Sequence, residues 1–130
     1  MGFTKANKKY LAFYEGSGNA CGDSYWPPTL KGNTSVVYLP SCPPEGLTGD
    51  PVRFGITEAG WVHELFHGLG AAPLCATHQV RGGHVSEDPS DLMYAGDQQW
   101  KPVLLDVGRD DYWGSSKPSC PGISSSPYFT

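Results

Sequence analysis

Residues 63 to 67 read His63-Glu64-Leu65-Phe66-His67, two histidines four positions apart with a glutamate beside the first. On a helix successive residues turn by about 100°, so His63 and His67 lie one above the other on one face and can aim two imidazole nitrogens at one metal ion. Glu64 is offset to the side, close to such an ion without ligating it. That position suits a general base, which takes a proton from a water whose pKa the ion lowers from about 16 towards about 7. The pattern predicts a hydrolytic centre with Zn2+ as cofactor, His63 and His67 as ligands and Glu64 as the catalytic group.

A catalytic zinc normally takes three protein ligands and keeps a fourth position open. All four histidines fall between positions 63 and 84, so a third ligand is sought beyond Gly70. His84 and His78 are the candidates, with Asp88 and Asp91 behind them.

An amphipathic helix over about 57–69 must carry the pair. Trp61, Val62, Leu65, Phe66 and Leu69 cluster on an arc roughly opposite the histidines, which predicts one buried flank and one flank facing a cleft. Thr57 is the expected N-cap, Glu58 complements the helix dipole, and Gly70 is placed to end the helix with positive φ. Residues 9–14 and 35–39 read as strands bounded by Gly, Asn, Pro or Ser. Together these predict an α+β domain, with a small mixed sheet, one site-bearing helix and a loop-rich C-terminal part.

Size and composition agree with one domain over 1–130. The chain has 17 glycines and 12 prolines, so long irregular stretches need cross-links. Cys21, Cys42, Cys75 and Cys120 are even in number and lack a C-x-x-C pair, which reads as two disulfides rather than a thiolate metal site. Of the three possible pairings, Cys21 with Cys42 and Cys75 with Cys120 joins sequence neighbours and ties the segment after Gly70 to the tail. The competing reading is four reduced, buried thiols. Disulfides imply a secreted protein, although Met-Gly-Phe-Thr-Lys at the start is not an apolar signal peptide. A net charge of −4 and a pI near 5.4 argue against nucleic-acid partners, and no apolar run approaches membrane-spanning length. The expected partner is a peptide or protein substrate, met by a monomer.

HELFHGLG followed by Ser90-Asp91-Leu92-Met93-Tyr94 resembles the metzincin clan of zinc endopeptidases, whose signature is H-E-x-x-H-x-x-G-x-x-H/D with a later Met-turn. The resemblance implies a metzincin-like fold in which Gly70 turns the chain towards the third ligand and Met93 forms a floor beneath the metal. The chain departs from the clan where a ligand is due, because Pro73 stands there. AAPLCATHQVRGG then reads as an insertion in the ligand loop. His84 is favoured as third ligand by its nine-residue distance to Met93, similar to that in matrixin-like metzincins; His78 stays open. GHVSEDPSDLMY also resembles a pattern in secreted bacterial metzincin-like proteins. The clan's fold starts with a further strand and a long helix that have no counterpart here, so an N-terminally shortened form is expected. The strand near 34–39 would border the cleft and pair with an extended substrate, and residues near 94–100 would shape the pocket beyond the Met-turn.

Asp106, Asp110 and Asp111 lack the D-x-[DN]-x-[DN]-G spacing of a calcium loop and read as surface charges that pair with Arg109 or cap a turn. Residues 122–130 read as a flexible tail. Arg81-Gly82-Gly83-His84 lacks the lysine and the strand-to-helix setting of a phosphate loop. The alternative to a peptidase is a non-catalytic, disulfide-stabilised secreted binding module, which would close the metal's fourth position with protein, for instance with both His78 and His84.

Overall fold

Val36 and Val37 sit in β3 (Thr34–Tyr38), the central strand of a three-stranded sheet whose order is β1-β3-β2. In this computed structural model, which describes residues 5, 8–29, 33–42, 55–114, 117–120 and 122–129, β1 (Tyr10–Tyr14) pairs parallel with β3 and β2 (Gly22–Ser24) pairs antiparallel. The period of two turns Ser35 and Val37 inward. Because β3 has a neighbour on each side, it cannot border the cleft as the 34–39 segment was expected to. That place belongs to β2, whose glycine, aspartate and serine carry no strand propensity. The start at residues 1–4 lies outside the described residues.

The helix α1 runs from Ile56 to Gly68. Its N-cap is Gly55, without a side-chain cap, instead of Thr57; the Thr57 hydroxyl is drawn away to donate to the Cys42 carbonyl at 2.7 Å. At the other end Gly70 has φ +82° and the amides of Leu69, Gly70 and Ala71 close on the last turn. Two serines opposite one another in the sheet, Ser24 and Ser35, both donate to the Glu64 carbonyl, at 2.9 and 2.8 Å, and Asn33 Nδ2 donates to the Gly68 carbonyl. Phe13 packs edge-on against Trp61, with ring centroids 4.9 Å apart.

The other side of α1 rests on a second core. Phe66, Val85, Leu92, Met93, Tyr112 and Ile123 form it with Ala71 and Ala72, and Val62, Leu69 and Trp100 pack around it. The helix is therefore covered on two sides, where one buried flank was expected. Such burial stabilises at roughly 25 cal/mol per Å² of apolar surface. Among the described residues this is a small mixed α+β protein with one α-helix, and none of its helices is long and apolar enough to cross a membrane.

Beyond the helix, β4 (Gln79–Val80) and β5 (His84–Val85) form an antiparallel hairpin whose turn uses Gly82 and Gly83 at φ +80° and +77°. Two disulfides, Cys21–Cys42 and Cys75–Cys120, brace the loops. The segment expected as a flexible tail folds back instead: Ile123 is 2% exposed, its amide donates to Tyr112, and the Ser126 hydroxyl donates to the Leu69 carbonyl. The Cys120 bridge delivers that isoleucine to the core.

Asp91 organises the turn that follows β5. It is fully buried and accepts from the Met93 amide at 2.7 Å, the Val107 amide at 2.8 Å and the Tyr112 hydroxyl at 2.6 Å. Asp91→Asn points an amide NH2 at donors it cannot accept from. The expected loss is about 3 kcal/mol in urea unfolding, against about 0.5 kcal/mol or less for the exposed Asp97→Asn.

Candidate metal centre

Three histidines converge. The Nε2 atoms of His63 and His67 lie 3.1 Å apart, and His84 Nε2 lies 3.2 Å from each. α1 supplies the first two, one turn apart, and β5 supplies the third. β5 is held in register by hydrogen bonds of Val85 with Met93 and Ala95, so the turn containing Met93 fixes where His84 stands.

The opposite ring nitrogens decide the tautomers. His63 Nδ1 is 2.7 Å from the Leu92 carbonyl and His84 Nδ1 is 3.2 Å from the Arg81 carbonyl. A carbonyl only accepts, so each Nδ1 carries the proton and each Nε2 presents a lone pair. Two such lone pairs cannot bond one another. Burial strengthens the case, because desolvation lowers the His63 pKa to about 4 and the His67 pKa to about 2, with the neighbouring imidazoles adding repulsion. His84 is lowered too, chiefly by burial and against its hydrogen bond to Arg81. Three neutral nitrogen donors facing one point can hold a metal ion.

Glu64 is 6% exposed and lines the same cleft of about 480 Å³, bordered by β2, Trp26, Tyr94 and Trp100. Desolvation raises its pKa to about 7, opposed by a Ser24 hydrogen bond and reinforced by the charge of Asp23. Its Oε2 has no hydrogen-bond partner among the described residues. The carboxylate fits here because Gly22 has no side chain: a Cβ at that position would stand 2.4 Å from Glu64 Cγ. Trp100 stands edge-on to His63, centroids 5.5 Å apart, and donates Nε1 to the Asp91 carbonyl. Tyr94 and Trp100 are the two members of the 94–100 segment that reach the cleft wall.

His78, the other candidate third ligand, is elsewhere. Its amide and Nδ1 both bond the buried Asp111, at 2.8 and 3.0 Å, and Nδ1 is also 3.0 Å from Glu87 Oε2. The hydrogen bond to Asp111 raises its pKa, against slight desolvation. Asp88 accepts from the Ser90 amide and hydroxyl, and Asp91 has the structural role given above. Met93 is fully buried among Phe66, Val85 and Tyr112. Asp106 and Asp111 are not surface charges: they are 6% and 0% exposed.

Sequence reasoning missed four contributors. Leu92 acts through its carbonyl, which no side-chain pattern announces. Ser24 and Ser35 act through tertiary contacts between distant segments. Gly22 gave no signal beyond being glycine, although a glycine beside a cysteine in a short polar segment marks a close approach once the partner is known. Comparison of the chain with protein-family models, curated proteins and solved structures returns no match.

Proposed function

We propose that this chain is a zinc-dependent endopeptidase of metzincin-like fold, secreted and acting on extended peptides. The observation that carries the reading is the triangle of Nε2 atoms with an unpartnered, buried Glu64 carboxylate in the same cleft. Tetrahedral zinc at about 2.0–2.1 Å from nitrogen sets its ligand nitrogens about 3.3–3.4 Å apart. The observed 3.1–3.2 Å is close to that, and the proton positions already leave Nε2 free on His63 and His84.

The chemistry supplied by a bound zinc is Lewis acidity, which polarises a carbonyl and acidifies water. Glu64 accepts the proton of the attacking water and delivers it to the leaving amine. A neighbouring cation favours its ionised form and opposes the effect of burial. Leu92 and Arg81 hold His63 and His84 in the ligating tautomer. β2, as the edge strand beside the cleft, offers main-chain groups to an extended substrate, whose scissile carbonyl then faces the histidines.

The metzincin likeness rests on the H-E-x-x-H helix, the turn at Gly70 and the buried Met93 beside β5. The hairpin is the unusual part, bringing His84 to the other two histidines 17 residues after His67. Two disulfides are compatible with an extracellular setting. Against the binding-module reading stands the ligand count, because the described residues bring three histidines together and engage His78 with carboxylates.

The test is cleavage of an unfolded polypeptide, such as reduced and alkylated serum albumin, by the oxidised protein loaded with zinc. Cleavage that a zinc-selective chelator stops and added zinc restores is the expected outcome. Zinc binding without cleavage would favour the binding module.

A further inference from the structure

Glu87, Asp91, Asp106, Asp110 and Asp111 gather on the far side of the Met93 turn, and Glu87 belongs to two overlapping groups there. One oxygen from it lies within 4.8 Å of oxygens from Asp91 and Asp106, and one lies within 4.8 Å of ligand atoms from His78, Asp110 and Asp111. The His78 imidazole faces three of these five carboxylates, and among the described residues ion pairs to them come from His78 alone.

Protein donors satisfy only part of the set. Both oxygens of Asp91 are engaged by Met93, Val107 and Tyr112, and both of Asp111 by the amide and ring of His78. Asp106 Oδ2 accepts from the amides of Tyr112 and Trp113, but its Oδ1 has no partner although the residue is 6% exposed. Glu87 Oε1 and Asp110 Oδ1 are buried without hydrogen-bond partners as well. Leaving one buried acceptor unpaired costs on the order of 1–3 kcal/mol, more when it is charged. Three in one cluster point to a missing positive charge.

We propose that this cluster binds a second divalent cation of the calcium class, held between Glu87 and Asp106 with Asp91 beside them. The available ligand atoms are carboxylate oxygens, which suit a hard ion. His78 has its Nδ1 proton committed to Asp111 and Glu87, so it serves as a hydrogen-bond donor at the rim. Burial lifts the Glu87 pKa to about 7 and raises those of Asp106 and Asp91, as expected of carboxylates without their counter-ion. The cation would join the segments at Glu87, Asp91 and Asp106 and so brace the turn that orients His63 and His84. The site stands apart from the histidine centre and does not depend on the peptidase reading.

The test is thermal unfolding of the oxidised, zinc-saturated protein during calcium titration, with terbium luminescence sensitised by Tyr112 and Trp113 as a direct readout. Calcium is expected to raise Tm by about 4 °C or more and terbium to luminesce. In Glu87→Gln both responses should weaken at least about ten-fold in Kd. Glu87 is partly exposed, and Asp106→Asn is the second variant if Glu87→Gln does not fold. No response up to millimolar calcium, or an equal response in the variants, overturns the proposal.

Discussion

Glu64→Gln is expected to leave zinc bound while lowering kcat for peptide hydrolysis by about 10²–10⁴-fold, the range that a positioned general base contributes. Glutamine keeps the shape and the cleft contacts but cannot take a proton. The three Nε2 atoms that would hold the metal are untouched, so zinc affinity should change little. The same substitution should alter stability in a way that marks the site. The Glu64 carboxyl is buried with one oxygen unpartnered, and desolvation raises its pKa to about 7. A folded-state value above the unfolded one contributes stability only at low pH and loses it as pH rises towards 7. Above pH 7 the metal-free wild type therefore carries a buried charge that the glutamine variant lacks. The variant should then be more stable by on the order of 2 kcal/mol, and zinc should remove most of the difference. Steady-state cleavage, zinc titration and denaturant unfolding at pH 8 check the three parts. Peptidase activity retained in the variant would refute the role given to Glu64.

His84→Gln and His78→Gln separate the two third-ligand candidates by their effect on zinc. Loss of His84 removes one corner of the nitrogen triangle, and affinity should fall by more than the 10–100-fold typical of groups that merely orient ligands. His78→Gln should leave zinc affinity within about two-fold, since its ring is 3.0 Å from Asp111 and Glu87 rather than beside His63 and His67. Competition against a chromophoric chelator reads both. Zinc lost from His78→Gln and kept by His84→Gln would mean that the loop folds the other histidine inward.

The helix and two strands were legible because their patterns are local. The H-E-x-x-H spacing, the flanking apolar arc and Gly70 lie within one stretch of 13 or 14 residues, and the aromatic and β-branched runs at 10–14 and 34–38 follow ordinary strand chemistry. The disulfide pairing was legible from sequence proximity. What stayed hidden depends on contacts between segments distant in the chain. β2 is three residues long and polar, and it is a strand only because β3 lies beside it. Thr57 has the right type and place for an N-cap, yet a tertiary acceptor at Cys42 claimed its hydroxyl. Asp106 and Asp111 carry the composition of a surface loop, but the Cys75–Cys120 bridge and the return of Ile123 to the core enclose that loop. Asp91 was weighed as a ligand, when the short spacing to Met93 already allowed its side chain to cap the turn. His84 could be favoured only through its distance to Met93, because a hairpin of two-residue strands leaves almost no periodic signal.

The most direct test of the central claim is a zinc-edge anomalous difference map on crystals of the oxidised protein grown with zinc. A single strong peak contacting Nε2 of His63, His67 and His84, with its fourth position facing the cleft beside Glu64, is the predicted result. No peak there, or a peak closed by a fourth protein ligand, would contradict it.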